Sequence, residues 1–371
     1  MLNPLALAAA GILALAAPAA APAVPAVPAV PASAWTMDEV PASLDWEVKP
    51  TRDIAAPAGS VDFDIGYHTE HHSSNWGRTV QLSSLTGLTE AQLASAGQPV
   101  SFLLRHDAGD FRCTGVAGQG KAVGSCAYVA NPAFAGELAR RGVTGGLTPY
   151  QQFELSRGDV GIAYLDELKR ENYATPSAED LAKAATHGAG LKQLLAMNAA
   201  GYRFGDVATF VHARDHGVSA RYIEALRDAG YTRLSGADLV HMRDHGVSAT
   251  FIGELRAAGA PHYSPDDLVR LRDHGVSSAY ITELRAAGYA GLSTEDIIHM
   301  RDHGVSAGFV AELRALGYDR VPAEQLARLR DHGVSPSFIR TANEGAERLS
   351  PEDLIRLRDR GGRHAEDLRQ R

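Results

Sequence analysis

A glycine recurs every 29 residues through the second half of this chain, at Gly217, Gly246, Gly275, Gly304 and Gly333. Each closes an Arg-Asp-His-Gly core, and the frame reaches back to Gly188 and, less cleanly, to Gly158. A fixed period of this size constrains the fold strongly, because it belongs to arrays of small helical units.

The unit from Ser264 to Tyr289 shows why it is two helices. Ser264 suits an N-cap, where its hydroxyl accepts from a free N–H of the first turn. Pro265 suits the first helical position, and Asp266 and Asp267 place negative charge at the positive pole. Leu268 and Leu271 share a face. Gly275 can take the left-handed conformation that stops a helix, with Val276 packing back on Leu271. Ser277 then caps a second helix with the stripe Tyr280, Ile281 and Leu284, stopped by Gly288. Asp206 replaces the serine cap as an equivalent, and Asn172, the next-best left-handed residue, replaces the second stopping glycine. Helices of about ten residues are marginal alone. They must bury their stripes on neighbouring units, which predicts an α-solenoid of two-helix repeats over residues 146–371.

The chain has 371 residues and a formal net charge of −8, which gives no general pull toward nucleic acid or anionic membrane. Residues 1–34 carry no charged side chain, and Leu5 to Ala17 can serve as the apolar core of a secretory signal. Prolines from Pro18 onward and the short apolar run oppose a membrane span. Residues 35–59 read as a proline-containing linker or strap, with Trp46 and Val48 able to dock on the next domain.

Residues 60–145 read as a small antiparallel β domain of about five strands with helical pieces. A two-residue turn on Gln119-Gly120 sets Cys113 opposite Cys126 in a non-hydrogen-bonded pair, where side chains approach closest. A disulfide there fits an oxidising compartment, the alternative being two half-buried thiols. This domain would cover the first open end of the solenoid. Glu366 and Asp367 replace stripe residues in the last unit and would make a polar C-terminal cap.

The Arg-Asp-His-Gly-Val-Ser and Glu-Leu-Arg-Ala-Ala-Gly-Tyr repeats resemble arrays of bacterial exported proteins. They are similar to arrays C-terminal to some antibiotic-sensing membrane metallopeptidases of the MecR/BlaR type. Arg105-His106-Asp107-Ala108-Gly109 through Phe134 resembles the β module that precedes such arrays. The resemblance implies a periplasmic sensing or interaction module. It does not extend to the peptidase, whose His-Glu-x-x-His motif this sequence lacks.

Candidate chemistry is sparse. His68, Glu70, His71 and His72 are competent Zn²⁺ or Cu²⁺ ligands in one short segment, although their spacing matches no metallopeptidase helix and an exposed polar loop is the favoured reading. His187, His216, His245, His274, His303 and His332 form a column before the stopping glycines. Imidazole there can bond a free helix-end carbonyl or, on a sharper reading, build a pH-responsive ladder. Arg214, Arg243, Arg272, Arg301 and Arg330 run beside Asp215, Asp244, Asp273, Asp302 and Asp331, which predicts weak inter-repeat ion pairs. A basic column at His212, His241, Arg270, His299 and Arg328 can meet an acidic partner. An acidic chain without a distinct recognition helix opposes DNA binding. The expected function is a non-catalytic exported interaction module for another protein, without a cofactor. The alternative is a metal-binding protein or metal-dependent enzyme using the His68–His72 loop.

Overall fold

The computed structural model describes residues 39–68, 73–344 and 347–363. The secretory-signal reading and the polar C-terminal cap fall outside these residues.

Alternation of apolar and polar residues builds a seven-stranded antiparallel sheet. Its strands are β1 (Leu44–Pro50), β2 (Ser60–His68), β3 (Ser73–Gln81), β4 (Leu85–Thr86), β5 (Gln98–His106), β6 (Gly109–Gly118) and β7 (Lys121–Ala130). Their order is β3-β2-β1-β7-β6-β5-β4. Two strands go beyond the five expected, and the stretch read as a linker holds one of them. β1 lies mid-sheet, paired with β2 on one side and β7 on the other. Its buried face is Leu44, Trp46 and Val48. On the other face Lys49 pairs with Glu47 and Asp64.

The β6–β7 hairpin has the expected register, Gly118 opposite Lys121 and Cys113 opposite Cys126. Gln119 and Gly120 both have positive φ, 56° and 82°, which a two-residue turn of this hand requires. The two cysteines are joined in a disulfide, their Cα atoms 4.0 Å apart.

A short helix α1 (Glu90–Leu93) lies before β5, and α2 (Phe134–Arg140) follows β7. Two-helix units then run in succession. The first three are α3 (Pro149–Arg157) with α4 (Ile162–Arg170), α5 (Ala178–Thr186) with α6 (Leu191–Ala199), and α7 (Val207–Asp215) with α8 (Ala220–Asp228). Next come α9 (Gly236–Asp244) with α10 (Ala249–Ala257), α11 (Pro265–Asp273) with α12 (Ser278–Ala286), and α13 (Thr294–Asp302) with α14 (Ala307–Ala315). The array closes with α15 (Ala323–Asp331), α16 (Pro336–Ala342) and α17 (Pro351–Asp359).

First helices pack on first helices of the next unit, and second helices on second helices, so the array is two parallel rows. Their apolar stripes form one core cluster that runs unbroken from Ala108 to Leu357. Caps and stops agree with the residue-level reading. Ser264 Oγ accepts from the Asp267 N–H at 3.1 Å, and Ser277 Oγ from the Tyr280 N–H at 3.1 Å. Gly275 has φ +63°; its N–H donates to the Arg272 carbonyl, and that of Val276 to the Leu271 carbonyl at 2.9 Å. This is the paired bonding of a Schellman stop. Asn172 also takes positive φ, 59°.

The first unit corrects one detail of the frame. Gly158 has an ordinary φ of −84°, and Asp159 is the left-handed residue at +57°. Gly158 answers a different need, since a Cβ there would lie 2.5 Å from the Ala185 Cα of α5. Glycine lets the first two units approach that closely.

Sheet and array meet at α3. Phe153 belongs to the sheet's core although it sits on a solenoid helix. In the other direction Ala108, on the β5–β6 turn, enters the array's core. The Ala108 carbonyl accepts from Tyr128 Oη at 2.9 Å and Gln152 Nε2 at 2.7 Å. The Asp107 carboxylate caps α4 by accepting from the Ile162 N–H at 2.7 Å. The Asp107-Ala108-Gly109 turn therefore holds both parts together.

Candidate functional site

The Arg-Asp-His motif turns out to be a set of contacts between repeats. Each ladder histidine offers Nδ1 to an aspartate of the following unit. His187 meets Asp215, His216 Asp244, His245 Asp273 and His303 Asp331, all at 2.8 Å. His274 meets Asp302 at 2.9 Å, and His332 meets Asp359 at 2.8 Å. The local carbonyl bond expected of these histidines is not made. The Schellman N–H groups already occupy the helix-end carbonyls, and stacking delivers a stronger, charged acceptor. These pairs sit on a solvated face, so each contributes little, about 0–1 kcal/mol.

The arginine beside each aspartate does not pair with it across repeats, contrary to the sequence expectation. From Arg243 onward it lies over an aromatic ring of the preceding unit's second helix, whereas Arg214 Nε donates to the Gly188 carbonyl at 3.4 Å. The Arg243 guanidinium carbon is 5.2 Å from the Tyr222 ring centroid, Arg272 5.2 Å from Phe251, and Arg301 5.5 Å from Tyr280. Arg330 over Phe309 and Arg358 over Phe338 continue the series at 5.2 and 5.3 Å. A guanidinium over a ring face gains a cation–π attraction, while the aspartate beside it is taken by imidazole. Tyrosines add a third tie. Tyr222 Oη donates to the Val247 carbonyl at 2.9 Å and Tyr280 Oη to Val305 at 2.7 Å. Burial pushes both phenols up to about 12, so they remain donors throughout the physiological range. The aromatic partners were legible in principle, because they recur with the same period as the arginines.

One turn earlier on the first helices runs a second, more basic column. His212, His241 and Arg270 are exposed, and His299 and Arg328 are half-buried. The column is not uniform. Arg270 pairs with Glu295, and Arg328 reaches Glu352 at 2.9 Å. Where the column residue is histidine, it packs instead on the ladder histidine four residues on. The ring centroids are 4.4 Å apart for His212–His216, 4.6 Å for His241–His245 and 4.4 Å for His299–His303. A groove between α7 and α9 is lined by His212, His241 and Asp244, with Gly236 keeping one wall low.

A second polar site lies at the sheet–array junction. A cleft there is lined by Arg105, His106, Asp107, Ser156 and Asp159. His106 Nε2 is 2.8 Å from Arg78 Nη2. Burial, then the Arg78 charge, pushes the His106 imidazole down to about 3, so it is a neutral acceptor. Burial also lowers Arg78, while Asp159 opposes that shift.

Of the loop candidates, His68 ends β2 and is exposed, in register with Ser73. Glu70, His71 and His72 lie outside the described residues. Among the described residues, no three His, Cys, Asp or Glu side chains converge as a closed metal site. No helix among them is long and apolar enough to cross a membrane. Comparison with protein-family models and with curated proteins gives no match.

Proposed function

We propose that this chain is an exported interaction module whose helical array presents the first-helix column to an acidic surface of another protein. The observation that carries the reading is the division of labour within each repeat. The His–Asp, Arg–ring and Tyr ties hold unit to unit, while the column of His212, His241, Arg270, His299 and Arg328 repeats at one register of successive first helices and makes solvent-facing ion pairs or histidine ring contacts. A continuous core keeps these positions at fixed spacing, and such arrays use extended faces for binding. The carboxylates on Arg270 and Arg328 belong to solvent-facing pairs, which exchange readily for a partner's carboxylates. The Cys113–Cys126 disulfide supports an oxidising compartment, and the periplasm fits the resemblance of the repeats to exported sensing arrays. The reading assigns the chain no reaction and no cofactor.

The test is capture from the native periplasmic fraction with the full chain, beside a variant carrying His241→Glu and Arg270→Glu. A partner retained by the first and lost by the second supports the reading. Equal capture by both removes the column from the interface.

A further inference from the structure

Three repeats carry a second histidine that the ladder does not use. His212 and His216, His241 and His245, and His299 and His303 are each four residues apart at the C-terminal end of a first helix. That spacing stacks two side chains on one face, one turn apart. The rings are already in contact, with centroids 4.4–4.6 Å apart. In every pair the second imidazole is held from behind. His216 Nδ1 lies 2.8 Å from the Asp244 carboxylate, His245 Nδ1 2.8 Å from Asp273, and His303 Nδ1 2.8 Å from Asp331. An Nδ1–H donated to a carboxylate leaves the Nε2 lone pair available as a ligand. This carboxylate–histidine arrangement is the one that orients a metal-ligating imidazole. The negative pole of the helix adds a favourable field for a cation.

The geometry points to three separate chelating sites, each using the two histidines of one pair to bind a divalent transition-metal ion such as Zn²⁺ or Cu²⁺. Imidazole selects these ions over Mg²⁺ or Ca²⁺, with Cu²⁺ the tightest. Two protein ligands leave the remaining coordination positions to water or to a donor from outside. The sites share His212, His241 and His299 with the proposed partner column, but the inference rests on their pairing with the ladder histidines and its test needs no partner. It also concerns residues other than the His68–His72 segment. The array carries its own control: His274 and His332 have the aspartate behind them but Arg270 and Arg328 in place of the first histidine.

The experiment titrates the tag-free, chelator-stripped full chain with Cu²⁺ or Zn²⁺ alone near neutral pH, by calorimetry. His212→Gln, His241→Gln and His299→Gln should each remove one equivalent relative to the parent chain, and the triple variant should remove three. His274→Gln should remove none. Asp244→Asn should weaken one equivalent about tenfold, because it loosens the His216 ring. Far-UV melting of the metal-free variants checks that they remain folded. A folded triple variant that binds as many equivalents as the parent overturns the proposal. Any single pair whose variant loses nothing is struck from it.

Discussion

The sheet and the helical array close their cores in opposite ways. The sheet joins strands distant in sequence: β1 sits between β2 and β7, and a disulfide locks β6 to β7. The array uses one short unit many times, each leaning on the next through the same few contacts. The first design depends on long-range pairing, since removing β1 would separate β2 from β7. The second divides its stability among nearest-neighbour interfaces. The chain also offers separate probes. Trp35, Trp46 and Trp76, its three tryptophans, all precede the array, whereas most helical signal comes from α3 to α17.

The largest expected effect is at the joint. Phe153 packs on Tyr128 at 5.3 Å between ring centroids and on Phe111 and Trp76 at 6.1 Å. Phe153→Ala should cost the sheet about 3–5 kcal/mol. In urea, the tryptophan transition should fall well below the helical one; coincident, unshifted transitions would break the comparison.

Reducing Cys113–Cys126 should cost about 3 kcal/mol, the usual scale for a loop this short. The tryptophan transition should move while the far-UV transition stays. A matching shift in both would show that the sheet dictates the array's stability.

Acid should also act on the sheet side. His106 is neutral in the fold, held down to about 3 against an ordinary 6.5. The unfolded chain takes up this proton below about 6.5 and the folded chain does not. Stability should therefore fall as pH drops from about 6.5 toward 3. His106→Gln should flatten that part of the tryptophan-detected pH profile, and an unchanged slope would exclude His106 as its source.

The smallest effects lie within the array and have opposite signs. Gly275→Ala forces a Cβ into left-handed backbone and should cost about 1–2 kcal/mol. Gly253→Ala, in an open position on α10, should stabilise by up to about 1 kcal/mol. Both should move the helical transition alone, as thermal melts at 222 nm would show.

These contrasts track what could be read in advance. The serine caps, the proline at first helical positions and the glycine stops were legible because each bonds within a few residues of itself. The hairpin register was legible for the same reason. β1 was available in the strict alternation of Leu44 to Lys49, yet Pro41 and Pro50 around it resembled a linker. Asp159 shows a limit of counting glycines: the period marks the left-handed position, and another residue can fill it.

The sequence alone settles the repeat unit, because caps, stops and stripes are short-range chemistry with both partners in one stretch. Tertiary structure alone decides where the Arg, Asp and His side chains go. Their partners stand one repeat away and come within reach only when the helices stack. Local pattern therefore offered the imidazole a carbonyl beside it, while stacking gave it an aspartate of the next repeat and gave the arginine a ring. The placement of β1 mid-sheet obeys the same rule, since pairing with both β2 and β7 is a property of the assembled layer.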